Sequence, residues 1–168
     1  MGNAERNSYV TKAITKAAIS LLRSEDLVSL TVSRICQEAQ VSRNSFYRNF
    51  SSVEDILHRE VTRRLRVWRE AYDSQPHDSE ADRYGSFFAH LQANADYYLL
   101  LERRGIFHIF REAYLGLFGP KPDQPNAEAY VVAFVGGGML AWVEEWMARG
   151  MQESGDQMAA ALRAADVR

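Results

Sequence analysis

Glycine and proline are nearly missing from the first half of the chain. Between Asn3 and Tyr84 there is no Gly, and Pro76 is the only Pro. Hairpins need turn residues every ~8–12 positions, so a hairpin-built β domain is excluded there and helices are left. Cysteine is scarce as well. A single one, Cys36, cannot form an internal disulfide, which excludes a disulfide-stapled fold and fits a reducing compartment. Long apolar runs are also lacking. The longest, Ala129 to Val143, is about 15 residues, against the ~20 that a membrane span needs. Met1 to Tyr9 is polar and has no apolar centre of a secretory signal. Arg6 stands where an N-myristoylation signal has Ser or Thr. Secreted, disulfide-rich and membrane-bound classes are set aside, and a cytoplasmic location is expected.

What is present is an ordinary globular composition: 168 residues, 46% hydrophobic and 25% charged. That length suits one domain or two small ones and buries a sizeable core without staples. The net charge of −2 hides an asymmetry. Residues 1–72 carry 12 Lys and Arg against 8 Asp and Glu, whereas residues 73–168 carry 8 against 14. A basic first part beside an acidic second part points to a polyanion met by the first part alone. Chance clustering of charge is the alternative.

Apolar spacing gives an all-α chain. Val10, Ile14, Ala17 and Leu21 share one face of a helix near residues 7–23. Val32, Ile35, Cys36 and Ala39 repeat the pattern in a short helix with Thr31 as its N-cap. Val53, Ile56, Leu57, Val61, Leu65, Trp68 and Tyr72 mark a long helix over 53–72, capped by Ser51 or Ser52. Three helices over 79–94, 96–103 and 105–118 are rich in Phe, Tyr and Leu. The most apolar helix spans Ala127 to Arg149 and ends at Gly150, and a short one runs from Asp156 to Ala165. Loops are expected at Asp73–Asp78 and at Gly119–Asn126, which holds three of the four prolines. The domain division read from this pattern is 1–52, a linking helix 53–72, and 73–168.

Thr31 to Phe50 is the informative stretch. A helix of about eight residues is followed by Gln40-Val41-Ser42 and a second short helix, Arg43 to Asn49. Ser42 suits the N-cap, and Val41 and Phe46 are placed to staple across it. Phe46 and Phe50 turn inward, leaving Arg43, Asn44, Tyr47 and Arg48 on other faces. This is a helix-turn-helix layout, in which the start of the second helix reaches base edges in the major groove of DNA. Arg bonds guanine bidentately and Asn bonds adenine. Ser, Tyr and Asn suit phosphate oxygens. The competing reading of the spacing is a plain helical hairpin with a polar surface.

The stretch Thr31-Val-Ser-Arg-Ile-Cys-Gln-Glu-Ala-Gln-Val-Ser-Arg-Asn-Ser-Phe-Tyr-Arg-Asn-Phe50, with Ser-Ser-Val-Glu-Asp-Ile-Leu57 after it, resembles the DNA-binding domain of the TetR (tetracycline-repressor-like) transcriptional regulators. The helix before it, with Ala13-Ile14 and Leu21-Leu22, matches too. Tyr130-x3-Phe134-x2-Gly137-Gly138-x3-Trp142-x3-Trp146-x3-Gly150 resembles the regulatory domain of a subgroup that includes dihydroxyacetone-kinase regulators. The resemblance implies an N-terminal three-helix DNA-binding domain and a C-terminal helical bundle for ligand binding and dimerisation. It implies a homodimer on palindromic double-stranded DNA, with Thr31, Ser33, Ser42, Arg43, Asn44, Ser45, Tyr47, Arg48 and Asn49 as the contacting set. Two positions depart from the family. Gln40 replaces a usual Gly in the turn, at a cost of about 1 kcal/mol if the backbone there has φ > 0. Val53 replaces a frequent Lys that would face a phosphate with the helix dipole.

The second domain is dense in aromatic residues, most of them core. Helix bundles also host ligands between helices. Phe88, Leu91, Tyr98, Phe107, Phe110, Tyr114, Phe134 and Trp142 are candidate walls of a pocket for a small apolar or aromatic effector, with His108 or a Tyr hydroxyl orienting it. Gly136-Gly137-Gly138 is no phosphate loop, since no Gly-Lys-Ser/Thr follows. Its smallness serves a close partner helix, room for a ligand, or a kink. The first choice makes Gly137, Gly138 and Trp146 candidate dimer contacts. His58, His77, His90 and His108 have no metal-ligand spacing, and no metal or cofactor is expected. Glu144-Glu145 could be an acid/base pair, but adjacent helix residues point apart, which favours a solvated face. No motif supports an enzyme. The function expected is a repressor released by a small molecule, the alternative being control by a protein partner.

Overall fold

The computed structural model describes residues 3–76 and 80–165, which form helices with no strand among them. Of the loop expected over Asp73–Asp78, His77 and Asp78 lie outside the described residues. The helices are α1 (Asn3–Leu22), α2 (Val32–Glu38), α3 (Arg43–Tyr47), α4 (Val53–Asp73), α5 (Glu80–Ala93), α6 (Ala95–Arg103), α7 (Phe107–Phe118), α8 (Asn126–Ala148) and α9 (Gly155–Ala165). A 3₁₀ turn at Leu27–Ser29 joins α1 to α2. The chain divides into two compact units, Met1–Val61 and Thr62–Arg168. The division falls inside α4, so that one continuous helix contributes its first turns to one unit and its last turns to the other.

In the first unit Ile14, Ala17, Ala18 and Leu22 of α1 are buried with Ile35, Cys36, Phe46, Phe50, Ile56, Leu57 and Val61. The α4 start is fixed by side chains. Ser52 Oγ accepts the Asp55 N–H at 3.0 Å, which identifies Ser52 as the cap. Asp55 in turn accepts from the Ser51 N–H at 2.8 Å and from Arg59 Nε at 2.7 Å. Burial opposes charge on Asp55, but these bonds outweigh it and hold its pKa below the usual carboxylate value.

The end of α2 explains the cost of Gln40. Ala39 is the C-cap, the Gln40 N–H donates to Gln37 O and the Val41 N–H donates to Cys36 O. That pair of bonds is a Schellman motif, which puts the residue after the cap in the left-handed region. Gln40 has φ 53°. The same motif closes α6 and α8, where the corresponding residues are Gly105 and Gly150. Gln40 therefore carries a Cβ strain of roughly 1 kcal/mol, partly offset because Gly loses more entropy on folding. Gln40→Gly is expected to raise the melting temperature by a few degrees, corresponding to about 0.5 kcal/mol. A melting temperature that falls instead would contradict this account of the turn.

In the second unit Phe88, Leu91, Tyr98, Leu101, Phe110, Val143 and Trp146 form the core. The start of α9 lies close on α5: a Cβ on Gly155 would stand 2.7 Å from the Ala89 nitrogen. Gln92 secures this contact by accepting the Gly155 N–H at 3.2 Å. A polar network sits at the α5–α6 junction. His90 Nε2 lies 3.2 Å from the Tyr98 hydroxyl, and Asn94 donates to His90 O at 2.9 Å. Arg64 of α4 bonds Asn94 and lies 4.5 Å over the Tyr97 ring.

Burial, then the Arg64 charge, lowers the His90 pKa from 6.5 to about 4. An unfolded chain takes up that proton near pH 6.5 and the folded one only near pH 4. The contribution of neutral His90 to stability is full above pH 6.5, is lost as the pH falls, and levels off below about 4. The melting temperature should fall between pH 7.5 and pH 5, and His90→Gln should flatten that part of the profile. An equally steep profile in the variant would contradict the assignment to His90.

Helix α8 is longer than its apolar run. Within its 23 residues an 18-residue window reaches a mean hydropathy of 1.3, enough by length and composition to cross a membrane, and it alone reaches that level among the described residues. Its second half is committed to the core through Met139, Leu140, Val143, Trp146 and Met147. The Glu144-Glu145 pair splits as helix geometry requires, Glu144 pairing with Arg111 and Glu145 with Arg149.

Candidate functional site

Helices α2 and α3 are each opened by the residue that the sequence assigns. Thr31 Oγ1 accepts the Arg34 N–H at 3.3 Å, and Ser42 Oγ accepts the Ser45 N–H at 3.1 Å. Phe46 is fully buried and Phe50 nearly so, which fixes the roll of α3 about its axis. The polar side chains of α3 then fall on two kinds of position. Asn44, Tyr47 and Arg48 are exposed, and Tyr47 lies edge-on to Phe46 at 5.4 Å. Asn44 and Arg48 make no side-chain hydrogen bond among the described residues. Arg43, also exposed, donates to Ser33 Oγ across the two helices, which orients its guanidinium beside the start of α3.

Asn49 is placed differently. It is half-buried, accepts from Thr11 Oγ1 at 3.1 Å and donates to Ser45 O at 2.8 Å. Those bonds tie α1 to the end of α3 and engage both ends of its amide. Thr31 and Ser42 use their hydroxyls as cap acceptors, and the Ser45 hydroxyl lies 2.9 Å from that of Ser42. Asn44, Tyr47 and Arg48 are thus turned to solvent, Arg43 is held by a single surface bond, and the exposed hydroxyls of Thr31 and Ser33, which act here as acceptors, keep their protons for donation. Cys36 lies beneath this surface as a buried thiol, and burial raises its pKa against the opposing charge of Arg43. It stays a neutral, small core residue.

The second unit contains a cavity of about 420 Å³. Its walls come from the end of α4 (Trp68, Arg69, Tyr72, Asp73), the start of α5 (Arg83, Tyr84, Phe87), the end of α7 with its following loop (Tyr114 to Lys121) and the first half of α8 (Val131 to Met139). Of the nine side chains expected to wall a pocket, only Tyr114 lies here. Phe88, Leu91, Tyr98 and Phe110 are fully buried, the three rings in close contact with other rings, such as Tyr98 edge-on to Phe110 at 5.5 Å. Phe107 stacks on Phe110 at 5.2 Å, His108 is exposed, and Trp142 is half-buried. Phe134, at 84% exposed, points away from the core. The physical reason is that helical period marks an inward face but does not separate a filled interior from a lined one. Arg69, Arg83 and Lys121 were not singled out by sequence; their one common signal is a cation near a helix end or in the loop beside it.

The glycine triplet divides between two surfaces. Gly136 lines the cavity, while Gly137 and Gly138 are exposed, and a Cβ on any of the three would meet nothing within 4 Å in this chain. Trp146, expected beside them at an interface, is instead a core residue, edge-on to Phe88 at 5.4 Å and 2% exposed. The outer face of α8 presents Tyr130 and Phe134 bare, while Val131 and Val135, also exposed, lie on its cavity side.

Residues 14–59 match the family model described as bacterial regulatory proteins, tetR family. The matched span covers α2, α3 and the opening of α4, so it contains every helix-turn-helix residue described above. No curated protein matches the chain in sequence. Among solved structures, Lin0861 from Listeria innocua superposes with a TM-score of 0.71 at 14% identity, over 99% of this chain and 93% of the other. A dihydroxyacetone kinase operon activator, DhaS, superposes with a TM-score of 0.52 at 17% identity, over 93% of each chain. Identities this low establish a shared all-α fold.

Proposed function

We propose that this chain, a DNA-binding regulator of the tetR family through residues 14–59, works as a homodimeric repressor that a small molecule releases from a palindromic operator. The observation that carries the release is the cavity. Trp68, Arg69, Tyr72 and Asp73, which line it, are on the last turns of the helix whose first turns belong to the DNA-binding unit. A ligand there acts on α4 directly. It favours one conformation only by binding it better than the other, and a coupling of about 1–3 kcal/mol weakens DNA binding roughly 5–150-fold.

The dimer reading rests on α8. Tyr130, Ala133, Phe134, Gly137 and Ala141 recur at helical spacing and are all exposed, so a continuous apolar strip with small residues along it is left uncovered. Small residues let a second helix approach closely, and two-fold pairing of α8 and α9 from two copies forms a four-helix bundle. This supports Gly137 and Gly138 as contacts and moves Phe134 from ligand wall to interface. The dimer in turn supplies the two recognition helices that a palindromic site needs, about one helical turn apart.

The test is a promoter fused to a reporter, with the selected operator between them, assayed with and without the chain and with candidate effectors. Repression by the chain, relieved by a compound that also binds the purified protein, is expected. Activation in place of repression would overturn the sign of control. Repression that responds to a co-purifying protein, and to no compound, would put a protein partner in place of the small molecule.

A further inference from the structure

The cavity of the second unit is walled unevenly. Away from α8 its rings pack on one another: Trp68 lies 5.0 Å from Phe87, Phe87 5.9 Å from Tyr114, and Tyr114 5.1 Å from Phe118. Trp68 is oriented by its Nε1–H, which donates to Ser86 Oγ at 3.0 Å. Phe87 and Tyr114 are buried, as are Gly136 and Met139 of α8. Val131 and Val135 of α8 also line the cavity, yet they are 62% and 46% exposed. Two valines so placed carry the wall out to water on the α8 flank, with apolar surface that no described residue covers.

Val131 is the border between this flank and the bare strip of α8. Its helical neighbours three, four and seven positions on are Phe134, Val135 and Gly138. Val135 belongs to the cavity, whereas Phe134 and Gly138 are exposed on the strip, so the two form one continuous apolar surface. The strip is also complementary to itself. Its large side chains, Tyr130 and Phe134, stand toward the start of α8, and its small residues, Gly137, Gly138 and Ala141, toward the end. Two copies of α8 related by a two-fold axis that crosses the helix run antiparallel. With that axis between Val135 and Gly136, Phe134 meets Gly137 of the second copy, Ala133 meets Gly138, and Tyr130 meets Ala141. Each large side chain faces a small residue, and symmetry repeats the match. A Cβ on Gly137 or Gly138 meets nothing within 4 Å in the single chain, which leaves room there for a ring. This match of large to small within one helix selects a second copy of the chain as the occupant.

We propose that the effector cavity is completed by the second copy: Phe134 of one chain, seated over Gly137 and Gly138 of the other, covers the flank of the other chain's cavity at Val131 and Val135. This inference rests on the small-molecule and dimer readings above and adds that the two are coupled. If pairing tightens effector binding, the effector tightens pairing by the same factor at each site. Release from DNA then changes the spacing of the two recognition helices within an intact dimer and does not proceed by separation of the copies.

The test titrates N-phenyl-1-naphthylamine, a neutral aromatic dye that fluoresces in apolar sites, into the full chain. Gly137→Leu and Phe134→Glu are expected to break the dimer, and neither residue lines the cavity of its own chain. Both variants should bind the dye about tenfold more weakly than the parent, the effect of uncovering roughly 50 Å² of apolar surface. Saturating dye should lower the parent's dimer dissociation constant by about a hundredfold, a factor of about ten for each site. Mixed dimers, isolated through two affinity tags, show which chain supplies the cover. Gly136→Leu fills the cavity of its own chain and keeps Phe134, whereas Phe134→Ala keeps the cavity and removes the ring. Neither variant alone should bind the dye tightly, but their mixed dimer should bind one dye with the parent's affinity. Unchanged melting temperatures show that the variants are folded. Monomeric variants that bind the dye as tightly as the parent, or a mixed dimer that binds as weakly as Phe134→Ala, overturn the shared cavity and leave a small-molecule site within one chain. A parent that is monomeric and binds the dye does the same and leaves the strip to another partner. A parent that binds no dye up to its solubility limit overturns the small-molecule reading and this inference with it.

Discussion

Replacing Arg43 by alanine should weaken specific DNA binding by about 1–3 kcal/mol, roughly 5–150-fold, and relax the preference at one base pair in each half-site. Arg43 opens α3, is exposed, and is oriented by its bond to Ser33. A guanidinium so placed can make two parallel bonds to guanine at a small entropic cost, because its position is already restricted. The substitution removes only a surface hydrogen bond from the free protein, so its melting temperature should change little. Tyr47→Phe is the contrasting variant. If its hydroxyl holds a phosphate, binding to all sequences weakens alike. Gel-shift measurements at one salt concentration separate the two, since the electrostatic share changes steeply with salt. Unchanged affinity and unchanged preference in Arg43→Ala would remove the base-reading role.

Gly137→Leu should convert the proposed dimer to a monomer and lower operator affinity by roughly a hundredfold or more, because two half-sites are then bound separately. Within one chain the new side chain enters open space, so the fold is expected to survive. Against a second α8 it would hold the helices apart. Phe134→Glu tests the same face differently, by placing a charge where the side chain is 84% exposed in the single chain and would be covered in the proposed dimer. Sedimentation at micromolar concentration should show a dimer for the parent and monomers for both variants. A parent that sediments as a monomer would contradict the assembly, and the bare strip of α8 would then belong to another partner.

The parts of the molecule legible in the sequence are those set by local chemistry. Thr31 and Ser42 cap their helices because a hydroxyl at that position satisfies an orphan N–H, whatever the rest of the fold does. The turn at Gln40 was legible as a departure from a Gly, and its positive φ follows from the Schellman bonds around it. The 3₁₀ turn at Leu27–Ser29 was not, since three residues carry no period. The exposed face of the second helix, proposed to meet DNA, was legible as a surface but not in its detail. Asn49 has the composition of a contact residue, yet Thr11, from a helix 38 positions earlier, engages it.

The cavity was the least legible feature, for a reason seen in its walls. Trp68, Tyr114 and Met139 come from three separate helices, and only their packing decides that space remains between them. Phe88 and Phe110 have the same residue type and period as Phe87 and Phe118, but the first pair is fully buried in the core and the second lines the void. The glycine triplet shows the same limit. Its smallness was readable, whereas the division of Gly136 from Gly137 and Gly138 between a cavity and an outer face follows from the rotation of α8 on the core.

The measurement that tests the central claim most directly is selection of bound duplexes from a random library by the purified full chain, with sequencing of the survivors. Enrichment of a two-fold symmetric site is predicted, its half-sites centred about one helical turn apart, and lost at one position per half-site in Arg43→Ala. Survivors with no common sequence, or with a single half-site and no symmetric partner, would contradict a dimer that reads DNA through α3.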